Sequence, residues 1–181
     1  MKRCTWATTD LMKKYHDEEW GKPLHDDQAL FELLILETMQ AGLSWSIILN
    51  KRENYRKALD GFDPYKIVLY DQKKIEELLS NPGIIRNKLK INSLLKNAEA
   101  FLKVKQDYGT FDAYIWSFVK GKPIVNHFNN TEQVPAKTEL SITISKEMKK
   151  RGFTFFGPVT CYAFMEAAGL INDHLNDCSF K

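Results

Sequence analysis

The chain predicts an all-α bundle of roughly eight helices, and three features of its 181 residues carry that expectation. Apolar residues recur at three- and four-residue spacing along most of the chain, the period of a half-buried helix. Asp, Ser or Thr stands just ahead of several of these runs, where a side-chain oxygen can accept from the unpaired N–H groups of a first turn. The two-residue alternation of a half-buried strand is weak throughout.

Asp26 or Asp27 caps a helix that carries Leu30, Phe31, Leu33, Leu34 and Leu36 and ends near Met39. Its apolar residues occupy nearly every face, which marks a central, buried helix. Gly42 breaks it, and Ser44 caps the next helix, through Ile47, Ile48 and Leu49 to about Leu59. Asp63-Pro64 opens a short helix, because proline lacks only an N–H that a first turn leaves unpaired. Asp71 opens another through Ile75, Leu78 and Leu79, and Asn81-Pro82-Gly83 turns the chain. A long helix follows from about Arg86 to Lys105, with Leu89, Leu94, Leu95, Ala98, Phe101 and Leu102 at helical spacing. Thr110 caps Phe111 to Val119. Gly121 to Lys137 is the longest irregular stretch, and the expected boundary if the single unit of residues 1–181 divides into two helical lobes. Helices return from Ser141 to Lys150 and from about Pro158 to Ala168.

With 44% apolar and 27% charged residues, the chain can bury a core without disulfide staples. Its three cysteines, an odd number, argue against a disulfide framework. No run is long and uncharged enough to span a bilayer, and Met1 to Trp6 lacks the apolar stretch of a secretion signal. A cytoplasmic monomer with no membrane partner is expected. The formal charge of +3 permits a nucleic-acid partner without demanding one. Basic residues gather at Lys51-Arg52, from Arg86 to Lys90 and from Lys146 to Arg151, and taken alone each cluster reads as a solvated helix face.

The segment Lys149 to Thr160 adds a second signal. A basic helix ends near Gly152, a short turn carries Gly157, and a new helix opens at Pro158. In a helix-hairpin-helix, such a glycine admits a close backbone approach to DNA, and the next helix turns free N–H groups toward a phosphate. The Thr160 hydroxyl can join that contact, which positions without reading sequence. An ordinary corner between two helices fits the local pattern equally well. Arg86, at the start of the long helix, is a supporting phosphate contact.

Cys4 and His16 lie near one end of the chain, His174 and Cys178 near the other. If the last pair sits on a helical turn, its four-residue spacing puts both on one face. Two thiolates and two imidazoles make a closed tetrahedral Zn²⁺ set, which would tie the termini together. Against it, the twelve-position gap from Cys4 to His16 matches no common finger, and two histidines and two thiols can stand near chain ends for no shared reason. Glu37 is out of place on the apolar central helix. Such a carboxylate is either paired with an arginine or backbone N–H groups, or kept for a ligand. Tyr15, Trp45 and Trp6 can stack a planar base, or simply pack the core.

Read together, several segments resemble the bacterial DNA-3-methyladenine glycosylase I family, a branch of the helix-hairpin-helix glycosylases. They are Tyr15 to Gly21, Glu37, Gln40 to Trp45, Lys51 to Arg56, Gly83 to Arg86, Trp116 to Val119, Arg151 to Phe153 and Ala168 to His174. The resemblance covers almost the whole chain. It implies structural zinc on Cys4, His16, His174 and Cys178. It also implies a pocket in which Tyr15 and Glu37 hold 3-methyladenine and Trp45 stacks on it. Gly42 and Leu43 match a loop that enters the duplex where the damaged base has left. Met39 stands where a glutamine is familiar, a change that can alter pocket polarity but leaves the main pocket residues intact.

The implied reaction is hydrolysis of the N-glycosidic bond of 3-methyladenine in alkylated double-stranded DNA, leaving an abasic site and the free base. Asp173 falls roughly where related enzymes carry a catalytic aspartate, but it suits a structural neighbour of His174 better. No lysine stands out as a Schiff-base nucleophile, so a monofunctional enzyme is expected. A zinc-stapled DNA-binding module would keep the hairpin and the zinc residues without needing Tyr15, Glu37 and Trp45 together. An enzyme acting on free purine nucleosides would not need Leu43.

Overall fold

The computed structural model describes residues 1–181 and contains nine α-helices. They are α1 (Asp10–Glu18), α2 (Asp27–Gln40), α3 (Trp45–Ala58), α4 (Pro64–Ile67), α5 (Gln72–Ser80), α6 (Lys88–Tyr108), α7 (Phe111–Ser117), α8 (Glu139–Lys150) and α9 (Pro158–Ala167). Helix α2 is the axis. Every residue from Leu30 to Met39 is buried, and α3, α6, α7 and α9 all pack against it. Its caps follow the sequence: Asp26 accepts from the Ala29 N–H at 2.8 Å, and Gly42 ends the run at φ +78°. A single cluster of 39 buried residues forms the main core around α2.

The other starts follow the same chemistry. Asp63, Asp71, Thr110 and Thr138 accept from first-turn N–H groups. Two expected starts shift. Asn87 caps α6, so Arg86 stands just before that helix rather than on it. Ser44 is the residue before α3, but its side chain makes no capping bond.

Helix α1 was not among the expected helices. Thr9 caps it by accepting from the Met12 N–H at 3.2 Å. Nor was the short parallel pair β1 (Ile124–Val125) and β2 (Ile171–Asn172). That pair lays the irregular stretch after α7 against the C-terminal segment, where the Asn176 N–H also donates to the Phe128 carbonyl at 2.8 Å.

Two links place α1 in the molecule. Arg52 of α3 donates to Glu19 at 2.7 Å and to Glu32 of α2 at 2.5 Å, joining three elements. At the other side, the Gly21 and Leu24 N–H groups donate to the Glu166 and Ala168 carbonyls at the end of α9, both at 3.0 Å. Gly169 makes that approach possible. Its φ is +70°, and a Cβ there would lie 2.1 Å from the Lys22 carbonyl carbon.

Candidate functional site: an aromatic pocket beside a Cys/His cluster

Four helices and two loops meet at a cavity of about 250 Å³. Helix α1 brings Met12 and Tyr15, α2 brings Glu37 and Gln40, and α9 brings Ala163 and Glu166. Trp45 opens α3, while Trp6 and Trp20 flank α1. All four expected pocket residues, Tyr15, Glu37, Trp45 and Trp6, therefore line one space. Tyr15 lies 5.3 Å from Trp45 and 6.3 Å from Trp6, ring centre to ring centre, and Trp6 meets Trp20 edge-on at 5.0 Å. Met39 is wholly buried in the core and does not line the cavity.

The two carboxylates of α2 show both fates open to a buried acid. Glu32 is forked by Arg52 and Arg56. Glu37 is 3% exposed, and its Oε2 has no hydrogen-bond partner. Burial alone pushes the Glu37 carboxyl up to about 8. The indole Nε1 of Trp45 is likewise buried and unpartnered. Two residues of the lining thus hold polar capacity that the protein itself leaves unused. Burial, then the neighbouring Glu37, holds the Tyr15 phenol well above its ordinary value.

Glu166, Trp20 and Gln40 were not among the expected site residues. Burial first, then Asp173 beside it, raises the Glu166 carboxyl well above the carboxylate range. Asp173 is buried and occupied with structural bonds. It accepts from the Tyr162 hydroxyl at 2.6 Å and from the Asn126 amide at 2.7 Å.

Beside the pocket, Cys4, His16, His174 and Cys178 converge, and their ligand atoms all lie within 4.8 Å of one another. The last two come from a turn rather than the helical face considered for them. The Cys178 sulfur lies 3.5 Å from His16 Nε2 and 3.3 Å from His174 Nδ1, and the Cys4 sulfur 3.7 Å from His174 Nδ1. Such separations suit the edges of a tetrahedron whose metal–sulfur and metal–nitrogen bonds are about 2.3 and 2.0 Å. The outer nitrogens are also committed. His16 Nδ1 meets Asp17 at 2.8 Å, Arg3 forks Asp17 in turn, and His174 Nε2 meets the Trp20 carbonyl at 3.1 Å. This is the second layer that orients histidine ligands. Burial lowers the His174 imidazole to about 4, keeping it neutral, and raises the Cys4 thiol to about 12, a cost that a bound cation would reverse.

The remaining expected residues lie on loops, apart from Thr160 at the start of α9. Gln40 to Leu43 form a tight turn, with the Leu43 N–H on the Gln40 carbonyl at 2.7 Å. Gly42 is exposed and Leu43 half-buried. Arg86 is exposed. Gly157, also exposed, caps α9 ahead of Pro158, and Thr160 lies in the first turn of α9. Helix α6 bridges these loops: Asn97 accepts from the Thr154 N–H at 2.8 Å in the turn between α8 and α9.

Comparison with known proteins accounts for the assembly as a whole. The methyladenine glycosylase family profile matches residues 6–181. The chain is 49% identical over 180 residues to the DNA-3-methyladenine glycosylase of Haemophilus influenzae, covering 99% of this chain and 97% of that protein. It is 44% identical over 179 residues to DNA-3-methyladenine glycosylase 1 of Escherichia coli K12, covering 98% and 96%. A solved structure of a tyrosine-to-phenylalanine form of 3-methyladenine DNA glycosylase I, in complex with 3-methyladenine, superposes with a TM-score of 0.96 at 38% identity, covering 100% and 98% of the two chains. A pocket of this composition and a match over nearly the whole chain lead to one conclusion: the chain belongs to the methyladenine glycosylase family.

Proposed function

We infer that this chain is a DNA glycosylase that hydrolyses the N-glycosidic bond of 3-methyladenine in alkylated duplex DNA. The observation that carries the reading is Glu37, an unpaired buried carboxyl on the wall of an aromatic box. Relatives named for this reaction support it, as does a related structure holding 3-methyladenine. A base inside a duplex is out of reach, so the damaged nucleotide leaves the stack and enters the box. Methylation at N3 makes the adenine cationic, and the faces of Tyr15 and Trp45 favour a cation. Its charge also favours the ionised form of Glu37, which then accepts from the exocyclic amine. Neutral adenine brings no charge to offset that ionisation, which discriminates against undamaged DNA.

The bond to the sugar breaks with its electron pair going to the base, which leaves neutral. Positive charge passes to the sugar, water adds at that carbon, and its proton is lost to solvent, leaving an abasic site. No lysine lines the pocket, in keeping with a monofunctional enzyme. Leu43 fills the space vacated in the duplex and opposes re-stacking. The α8–turn–α9 unit acts as the helix-hairpin-helix: Gly157 and the first-turn N–H groups near Thr160 take a phosphate, with Arg86 as a further contact. Cys4, His16, His174 and Cys178 would hold a Zn²⁺ whose part is structural, tying the two ends of the chain together. No helix is long and apolar enough to cross a membrane, and the chain is read as a cytoplasmic monomer.

Incubating the protein with methylated duplex DNA and separating the products by chromatography tests the reaction. Free 3-methyladenine is expected, from strands that stay intact until heated in alkali. Strand breaks without that treatment would overturn the monofunctional reading, and no released base would overturn the enzyme.

A further inference from the structure

Lys90 stands at the start of α6, where a lysine ordinarily reaches water, yet it is only 6% exposed. Its ammonium donates to the carbonyls of Met39 at 2.8 Å and Ala41 at 2.6 Å. The first is one of the last carbonyls of α2, which form the negative end of the helix dipole. The second lies inside the turn. Ala41 has φ −47° and ψ 117° and Gly42 has φ +78°, a type II turn closed by the Leu43 N–H on the Gln40 carbonyl. Type I and type II turns differ by a flip of their central peptide, here the one carrying the Ala41 oxygen. A donor fixed on that oxygen selects one of the two forms.

We propose that Lys90 is a positioning residue for Leu43: by holding the Ala41 carbonyl it fixes the turn that presents Leu43 to the duplex. This rests on the reading of Leu43 as the wedge. Asn97, seven residues on and so on the same face of α6, holds Thr154 through bonds of 2.8 and 3.1 Å. One face of α6 therefore grips both the Leu43 turn and the α8–α9 turn, about 10 Å apart along its axis.

The test compares wild type, Lys90→Met, Leu43→Ala and the double variant. Three readouts are single-turnover excision from methylated duplex, affinity for free 3-methyladenine, and hydrogen exchange at Gly42 and Leu43. Lys90→Met is expected to slow duplex excision about tenfold, as loss of a charged hydrogen bond and a displaced loop would. The double variant should be no slower than the worse single variant. Free-base affinity should stay within about twofold of wild type, with faster exchange confined to the turn. Lys90→Gln, whose neutral amide stops short of both carbonyls, is the second variant should Lys90→Met fold poorly, and the same pattern is expected of it. Normal duplex excision in the Lys90 variants beside an impaired Leu43→Ala would overturn the proposal, as would equal loss of free-base affinity. A Leu43→Ala protein with wild-type excision would remove the wedge reading, and this proposal with it.

Discussion

Glu32 and Glu37 stand five positions apart on one helix, and their pairing distinguishes them. Two arginines hold Glu32, whereas burial holds Glu37 near 8, far above its ordinary 4.5. Between those values the folded chain binds a proton that the unfolded chain has released, so this contribution to stability falls as pH rises. It is complete below about pH 4.5 and gone above about pH 8. Glu37→Gln cannot ionise. Its stability relative to wild type should therefore grow between pH 5 and pH 8, by at most about 1.4 kcal/mol per unit. Urea unfolding of both proteins at pH 5, 6.5 and 8 measures this, and a constant difference would place Glu37 in a wetter or paired setting. The sequence marks Glu37 because an acid stands in an apolar run, a signal that Glu32 shares. The same signal marks Glu166 within Val159 to Ala168. Trp20 and Gln40 carried no such mark, since only tertiary contact brings them to the cavity.

Most helices were legible from caps and periodicity, because both are local. Helix α1 was not expected, although Thr9 is a cap and Leu11, Met12 and Tyr15 follow at helical spacing. It is only nine residues long, and it is held by Arg52 and the end of α9. Pairing of β1 with β2 was beyond reach for a related reason, as two residues a side give no period to read. Contact between the α1 loop and α9 depends on Gly169. Gly169→Ala would drive a methyl into the Lys22 backbone at a positive φ, costing about 3 kcal/mol or more. The expected result is a lower urea midpoint together with weaker 3-methyladenine binding, since that contact aligns Tyr15 with Glu166. A stable variant with normal binding would show that Arg52 and the Cys/His cluster position α1 without that contact.

At the scale of the molecule, the Cys/His cluster joins residues 170 positions apart, and the segment it ties down carries Trp6 and Tyr15. The types of the four residues and the close spacing of His174 and Cys178 suggested a metal, but the Cys4–His16 gap fits no finger pattern, because the site forms only when the two ends of the chain meet. Purified protein is expected to hold one zinc per chain. Removing it should lower the Tm by roughly 5–10 °C and weaken base binding, with both restored by added zinc. Protein free of metal with the same Tm would mean that hydrogen bonds alone hold the termini.

All three scales converge on Glu37 in its box. The most direct measurement is single-turnover release of 3-methyladenine from methylated duplex DNA by wild type and by Glu37→Ala, with duplex affinity measured in parallel. The expected result is a rate lower by about 100-fold or more, with duplex affinity changed little. Release at the wild-type rate by Glu37→Ala would contradict the account and move the recognition of the damaged base to other residues of the pocket.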